Sequence, residues 1–505
     1  TAAAVIGASA GLLSDSDGDT RGATATPRVP RGAIRVQIGA GPESRPVPPG
    51  FVGLSIEYRS APGYFGTPAD PDRVFQQLVR NLAPGASPVL RFGGDTTDWT
   101  WAPTSGVAKP PGIQYTLGSQ WMSATRAAAQ ALNARLILGV NFESDSRAIA
   151  AAESAALVRG VGRPYVAGLE LGNEPEVYGT LGWYETAAGV PVPGRPASYD
   201  FASYLRDYAR VSRALPRTVP LVGPASGAPR WLSGLRSYLV AEPRVRMVTF
   251  HRYPLHRCFT ARQSPEFATI ANLLAPAAAT GPAASLAAAV VTAHARGIPL
   301  RADELNSVSC GGARGVSDTF ASSLWVLDAL FNMARVGVDG VNIHTFHKAI
   351  YEPFAVSEHA GRWSAEVRPL YYGLLMFARA APPGARLLPA AYRGPPTLRV
   401  WSTRSRDGQV RVVLINDSRR RAVTAAVNPP AAAVATTATG VCLRAPQADA
   451  TTGVTIGGQS FGVSTATGEL SGAARSFTLR AVQGRFVVRL PPATATMLAV
   501  GRTPS

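Results

Sequence analysis

The sequence is poor in cysteine, and its three cysteines, Cys258, Cys310 and Cys442, have none of the short paired spacings of a zinc site. No apolar run is expected to form the uninterrupted helix of roughly 18 residues that a membrane span needs. The Ala-rich stretch at 272–293 comes closest, but its two prolines are expected to interrupt it. These absences exclude a cysteine-bound zinc site and predict no membrane-spanning segment.

Charged residues are scarce as well, and lysine is almost missing. Only 16% of the residues are charged against 46% that are hydrophobic, which is a globular composition and not that of a disordered chain. The net charge of +18 comes almost entirely from arginine and is spread along the chain, with 419–421 as its densest run. Because proteins that bind nucleic acid concentrate their basic residues on one arm or helix, the sequence predicts no nucleic-acid partner.

Several binding motifs are absent. There is no G-x-G-x-x-G run and no phosphate-loop motif, and the G-x-S-x-G match at 7–11 has no strand before it. Two histidine pairs, His251 with His256 and His344 with His347, lack the helical i, i+4 spacing of a zincin. The sequence therefore predicts neither a cofactor nor a metal site.

The first residues resemble the end of a signal peptide. An apolar stretch at 2–13 runs into a polar segment rich in proline and glycine, so residues 1–32 are expected to be a poorly ordered leader. This pattern predicts an exported protein, either secreted or associated with the cell envelope.

The rest of the chain divides into two regular parts. Residues 49–382 alternate short β-rich runs with longer helical ones, and eight such repeats predict an α/β fold, the (β/α)8 TIM barrel. Strand-like runs separated by turn residues predict a C-terminal antiparallel β-sandwich at 383–505, and the strand-like segment within 33–48 is expected to join it. The predicted barrel strands lie at 52–57, 88–94, 134–142, 166–175, 219–226, 245–254, 299–307 and 340–346.

Two acids mark the carboxyl ends of predicted barrel strands, where barrel enzymes carry their chemistry. Glu174 ends the fourth strand and Glu304 ends the seventh. Either one alone is readily explained as a solvated strand cap. Side chains from these two strand ends can converge on one pocket, however, and a carboxyl pair about 5 Å apart is what double displacement at an anomeric carbon requires.

Four segments make the chain resemble the heparanase and β-glucuronidase family, glycoside hydrolase family 79, within the retaining (β/α)8 glycosidases. They are LRFGGDTTDW at 90–99, LELGNEPEVY at 169–178, FHRYP at 250–254 and the long block that begins ELNSVSCGGARG at 304–330. The resemblance implies that Glu174 is the general acid/base and Glu304 the nucleophile. It also implies that Asn173 binds the sugar 2-hydroxyl and that Tyr253 lies beside the nucleophile.

Further residues are candidates for binding the substrate. Glu57 and Asp95 follow the first two strands and suit hydrogen bonds to vicinal hydroxyls, whereas Arg91, inside the barrel, is expected to hold the carboxylates in place. Aromatic residues on the βα loops are candidates for stacking on sugar faces, with simple packing as the alternative. They are Trp99, Trp101, Tyr178 and Trp183.

The loop after the predicted nucleophile departs from the family pattern. In glucuronide-cleaving relatives this loop binds the substrate carboxylate through backbone N–H groups of a glycine run and, in several of them, a tyrosine hydroxyl. Here Gly311 and Gly312 keep the glycine run, but Ser309 stands in the tyrosine position. Cys258 and Cys310 follow neighbouring strands at the barrel mouth, so we predict a disulfide between them, with two free thiols as the alternative.

Together these features predict a secreted, retaining exo-β-glycosidase, similar to β-glucuronidases, that acts on a carbohydrate substrate. A neutral-sugar β-glucosidase on the same fold is the first alternative, because Glu57 and Asp95 would repel a uronate if both were ionised. A non-catalytic carbohydrate-binding barrel is the second.

Overall fold

The computed structural model describes residues 28–430 and 435–501, so the predicted leader lies almost entirely outside the described residues. Its centre is a closed barrel of eight parallel strands that follow one another in chain order, and the eighth strand pairs with the first. The structure thus confirms the predicted (β/α)8 barrel. The barrel strands are Val52–Glu57, Val89–Gly93, Arg135–Val140, Val166–Leu171, Leu221–Ser226, Val245–Arg252, Leu300–Leu305 and Gly340–Thr345.

A helix follows each barrel strand, and side-chain caps fix several helix starts. Asp72, Ser146 and Asp200 each accept a hydrogen bond from the backbone N–H three residues later, which satisfies a donor that the first helical turn leaves free. The barrel helices are Arg73–Leu82, Ser119–Leu132, Arg147–Val161, Phe201–Ser212, Leu235–Ala241, Pro276–His294, Phe320–Val336 and Pro369–Ala380. Two short helices, Ala61–Phe65 and Ile270–Leu273, lie within the loops.

The helix Pro276–His294 corrects one expectation from the sequence. Its prolines do not interrupt it: Pro276 is its first residue and Pro282 lies inside it. Pro282 has no N–H to donate to the carbonyl of Ala278, but the indole Nε1 of Trp325 donates to that carbonyl at 3.0 Å instead. With 19 residues and a mean hydropathy of 1.3, the helix is long and apolar enough to span a membrane, yet here it is the barrel helix that packs against Phe320–Val336.

The sandwich consists of two sheets. One has four strands in the order Ala390–Tyr392, Ile34–Ile38, Val423–Asn428 and Phe486–Leu490. The other is built from Arg386–Leu388, Leu398–Arg404, Val410–Asn416, Thr494–Val500, Thr437–Arg444, Thr455–Ile456 and Phe477–Arg480. The sandwich differs from a purely antiparallel one because Ile34–Ile38 runs parallel to Val423–Asn428.

The outer face of the sandwich packs on the last two barrel helices. The Asp328 carboxylate, in the seventh helix, accepts hydrogen bonds from Trp401 Nε1 at 2.7 Å and from Arg399 Nε at 3.2 Å. The ring of Phe331 stacks on Trp401 with a centroid distance of 5.3 Å. These contacts join the sandwich to the barrel and leave the carboxyl ends of the barrel strands open. Short strand pairs lie in the loops that follow the second, fourth and eighth barrel strands. They are Thr100–Trp101 with Tyr115–Thr116, Tyr184–Glu185 with Pro191–Val192, and Phe354–His359 with Arg362–Val367.

Candidate active site

The two predicted carboxylates meet at the open end of the barrel. Glu304 is the penultimate residue of the seventh strand, and Glu174 stands three residues beyond the fourth. One carboxylate oxygen of each lies within 4.8 Å of the other and of a ring nitrogen of His251. A close approach of this kind is what the roughly 5 Å between the two carboxyl groups of retaining glycosidases requires.

A fully buried arginine organises the floor of the site. Arg91 Nε donates to Glu170 at 2.6 Å, Nη1 donates to Glu304 at 2.8 Å and to Ser55 at 3.0 Å, and Nη2 donates to the side-chain carbonyl of Asn173 at 3.0 Å. Because the planar guanidinium fixes the directions of these bonds, it sets the relative positions of side chains from four elements. The structure therefore gives Arg91 the holding role that the sequence predicts.

Glu304 is held in its ionised form. Burial would raise its pKa, but His344, His251 and Arg91, together with the hydrogen bond from Tyr253, outweigh this and lower the pKa to about 2. The ring nitrogens of His344 and His251 lie 3.5 and 3.8 Å from the carboxylate. A carboxylate that stays ionised throughout the physiological range is chemically suited to attack an electrophilic carbon.

Tyr253 is the residue after the sixth barrel strand, and its hydroxyl donates to Glu304 Oε1 at 2.7 Å. Burial and the nearby Glu304 carboxylate raise the pKa of Tyr253 well above its usual range, so the phenol keeps its proton and remains a donor. Since Arg91 holds the other oxygen of the carboxylate, both oxygens of Glu304 have fixed directions.

Glu174 has a different environment. Its side chain is 30% exposed, against 8% for Glu304, and it is hydrogen-bonded to His251 Nδ1 at 2.9 Å. Its backbone has φ 47°, in the left-handed region that non-glycine residues rarely adopt. The backbone N–H donates to Ala225 O at 2.9 Å and Pro175 follows directly, so the fold holds this conformation and turns the carboxyl toward the cavity.

Asn173 is oriented from two sides. Its side-chain carbonyl accepts from Arg91, and its backbone N–H donates to Asp98 Oδ2 at 3.0 Å. Asp98 also accepts from the Tyr178 hydroxyl at 2.6 Å and from the backbone N–H of Phe142 at 2.8 Å. With its carbonyl occupied, the Asn173 amide can present only its NH2 group to a ligand. Sequence reasoning missed Asp98, although it lies within the segment at 90–99.

Glu57 and Asp95 face the same cavity but differ in their contacts. Glu57 Oε2 accepts from the backbone N–H of Thr96 at 2.9 Å, and its Oε1 lies 3.5 Å from His344 Nε2. Asp95 is open to the cavity, and the loss of hydration there, with the carboxylates of Glu57 and Glu174, raises its pKa.

The loop after the seventh strand makes a turn with three consecutive positive φ angles. They are 61° at Cys310, 80° at Gly311 and 91° at Gly312. None of these three backbone N–H groups donates a hydrogen bond within residues 28–430 and 435–501. Successive free N–H groups in such a turn form a concavity that suits an anion. Ser309 lies beside the turn, and its hydroxyl is hydrogen-bonded to His256 Nδ1 at 3.0 Å.

The predicted disulfide is confirmed. Cys258 and Cys310 are bonded, with their Cα atoms 6.4 Å apart, and Cys442 is a free cysteine in the sandwich. The bond joins the loop that follows the sixth barrel strand to the loop that follows the seventh.

Of the four aromatic candidates for stacking, only Trp99 borders the cavity. The Arg59 guanidinium lies 5.6 Å from the centre of its ring. The expectation is wrong for Trp101 and Trp183, which are buried in a small apolar cluster, and for Tyr178, whose ring is buried and whose hydroxyl bonds Asp98. Each of these three rings is used for packing.

A cavity of about 1020 Å³ lies at the open end of the barrel. It is lined by both carboxylates, by Glu57 and Asp95, and by the turn at 309–311. Glu174, His251 and Glu304 also satisfy the distances of a three-ligand metal site. Here, however, these groups bond one another and Arg91, so the geometry of the site is accounted for by protein contacts. The prediction of no metal site stays a prediction.

The fold is that of known glycosidases. No protein-family model matches the chain. A 4-O-α-L-rhamnosyl-β-D-glucuronidase from Fusarium oxysporum 12S superposes with a TM-score of 0.71 at 20% identity, over 93% of this chain and 100% of that structure. A GH51 arabinofuranosidase from Xanthomonas axonopodis pv. citri gives 0.62 at 13% identity, over 93% and 99%.

By sequence, a β-glucuronidase from Neurospora crassa is 24% identical over 405 residues, which cover 70% of this chain and 67% of the relative. This similarity, the barrel fold and the carboxylate pair at the strand ends establish the class of the protein. It is a glycoside hydrolase that acts on a carbohydrate substrate.

Proposed function

We propose that the protein is a retaining exo-β-glycosidase of glycoside hydrolase family 79 that hydrolyses β-glucuronides. The observation that carries this proposal is the carboxylate pair: an ionised Glu304, held by Arg91 and Tyr253, lies within 4.8 Å of a more exposed Glu174. The sequence relative with β-glucuronidase activity supports the choice of sugar.

In this mechanism Glu174 donates a proton to the glycosidic oxygen while the Glu304 carboxylate attacks the anomeric carbon. The bond to the aglycone breaks, and a covalent glycosyl–enzyme ester forms at Glu304. Glu174, now ionised, takes a proton from water, whose oxygen displaces Glu304 from the anomeric carbon. Two inversions give net retention. The Asn173 NH2 group donates to the sugar 2-hydroxyl and so positions the ring beside Glu304.

The turn at Cys310, Gly311 and Gly312 is proposed to bind the uronate carboxylate through its free backbone N–H groups. Ser309 cannot supply the phenol donor that several glucuronidases use, and its hydroxyl already bonds His256. A site with one donor fewer discriminates less strongly for the carboxylate. This observation favours a neutral-sugar β-glucosidase as the second candidate function.

The deciding experiment is the ratio of kcat/KM for nitrophenyl β-glucuronide and nitrophenyl β-glucoside. We expect a ratio above one. A ratio well below one would assign the site to β-glucosides and leave both carboxylate roles intact. If the intact protein turns over both substrates no faster than its Glu304→Gln variant does, the result contradicts the proposed sugar specificity.

We also propose that the protein works outside the cytoplasm. The disulfide between Cys258 and Cys310 supports this, because disulfides persist in oxidising compartments. Fractionation of the producing cells, with activity measured in the medium, envelope and cytoplasm, tests it: activity confined to the cytoplasm would contradict export.

A further inference from the structure

The cavity extends beyond the carboxylate pair on the side of Glu174. Gly227 packs against this acid: a Cβ placed there would lie 2.6 Å from Glu174 Oε1. Arg252 connects Gly227 to the helix Pro276–His294, because its Nη1 donates to the Gly227 carbonyl at 3.2 Å and its Nε donates to the Ser285 hydroxyl at 2.8 Å. The N-terminal half of the helix Pro276–His294 therefore walls the side of the cavity into which the leaving group departs.

This extension presents carbon surfaces. Phe259 and Leu181 are large hydrophobic side chains that are 72% and 47% exposed, and both line the cavity from two different loops. Pro229, Ala277 and Gly281 line it as well. We call these five residues the aglycone cleft. Exposed apolar side chains from separate loops that meet at one cavity mark a binding surface for an apolar group.

Three polar side chains beside the aglycone cleft are bonded to protein carbonyls. The Asn272 amide donates to the carbonyl of Phe267 at 2.9 Å, and the Ser285 hydroxyl donates to a carbonyl one turn earlier at 2.7 Å. Arg230 donates to the backbone carbonyl of Glu176 at 3.1 Å, and the exposed Glu266 carboxylate also lines the cavity. The hydroxyls of a sugar packed against the carbon surfaces of the aglycone cleft would lose their hydration without compensation, because these surfaces offer no hydrogen-bond partner.

From these observations we propose that the aglycone cleft binds a hydrophobic aromatic aglycone, so that the substrate is a β-glycoside of an apolar small molecule and not a polysaccharide. The proposal rests on the proposed glycosidase function. It adds that specificity on the leaving-group side comes from Phe259 and Leu181.

The test compares phenyl and 4-biphenylyl β-glycosides of the sugar that the nitrophenyl substrates identify. The two phenols have similar acidity, so the chemical step is matched and only the outer ring differs. We expect kcat/KM to be at least about tenfold higher for the biphenylyl substrate, which corresponds to about 1.4 kcal/mol. In the double variant Phe259→Ala/Leu181→Ala the ratio should fall to near one. Val291→Ala is the control, because Val291 is a 70% exposed hydrophobic residue on the helix Pro276–His294 that does not line the cavity.

Three results would overturn the proposal: a ratio near one in the intact enzyme, a tenfold ratio that survives the double variant, or faster release of the same sugar from an oligosaccharide than from the biphenylyl glycoside. If the intact enzyme hydrolyses no glycoside at all, the proposed function fails instead. The cleft is then tested by calorimetry, and equal affinity for the two aryl glycosides would overturn it.

Discussion

The hydrogen bond from Tyr253 to Glu304 can be removed almost without changing shape. In Tyr253→Phe the ring keeps its place against Tyr351, whose centroid lies 6.3 Å away, and only the hydroxyl that donates at 2.7 Å is lost. A hydrogen bond to a charged group is worth about 1.5–3 kcal/mol, and one pKa unit corresponds to about 1.4 kcal/mol. The pKa of Glu304, about 2 in the intact protein, should therefore rise by about one to two units.

The sign of this change determines the pH dependence. A carboxylate is ionised above its pKa, so the intact enzyme keeps its nucleophile until the pH approaches about 2. The variant should lose it as the pH falls through about 4 to 3. Near pH 6 Glu304 is ionised in the intact enzyme and in the variant alike. There the loss of the hydrogen bond that orients one of its oxygens should lower kcat/KM about tenfold.

The assay is kcat/KM for a nitrophenyl glycoside between pH 3 and pH 6, with stopped time points. Tyr64→Phe is the matched control, because it removes a buried tyrosine hydroxyl that bonds Thr345 at 2.9 Å outside the cavity. Tyr64→Phe should keep the intact pH profile. If the acidic limb of Tyr253→Phe coincides with that of the intact enzyme, the hydroxyl does not act on the ionisation of Glu304 and the reasoning is refuted.

Three other predictions concern chemistry and stability. Glu304→Gly should be inactive alone and should form a glycosyl azide of inverted configuration when azide is added, whereas an inverted product from the intact enzyme would end the double-displacement assignment. Thiol titration of the denatured, unreduced protein should find one free thiol per chain, and replacing Cys258 and Cys310 by serine should lower the free energy of unfolding by roughly 2–4 kcal/mol in chemical denaturation. Trp325→Phe should lower the free energy of unfolding by about 1–3 kcal/mol in the same assay. The loss should be smaller in a Pro282→Ala background, where the backbone N–H of residue 282 can donate to the Ala278 carbonyl. An equal loss in both backgrounds would contradict that account.

The barrel was predictable because each of its strands is a short buried run bounded by turn residues. The strand predicted at 52–57 is observed at Val52–Glu57, and the one predicted at 245–254 is observed at Val245–Arg252. The positions of Glu174 and Glu304 follow from this pattern, since barrel enzymes place polar residues at strand ends. Their roles stay predictions until the variants are measured.

What the sequence could not predict depends on partners far along the chain. Pro282 lies inside a helix, and the donor that its ring lacks is supplied by Trp325 from the next barrel helix. The sequence predicts no metal site at His251 or His344 and indicates no other role for them, yet the structure places both within 4 Å of the Glu304 carboxylate. The sequence does not predict the role of Asp98, because this residue orients the site through backbone N–H donors, those of Phe142 and Asn173, that only the folded chain brings to it.

The disulfide has a consequence for how this scaffold can acquire new substrates. Cys258 is adjacent to Phe259 in the aglycone cleft, and Cys310 begins the glycine turn proposed to hold the sugar's carboxylate. If recombination or engineering replaces one of these loops with a loop that has no cysteine, the cysteine of the other loop loses its partner. Its thiol, at the mouth of the site, can then form mixed disulfides in an oxidising compartment. The two loops, and with them the preferences for sugar and leaving group, should therefore change together in evolution and should be exchanged together in engineering.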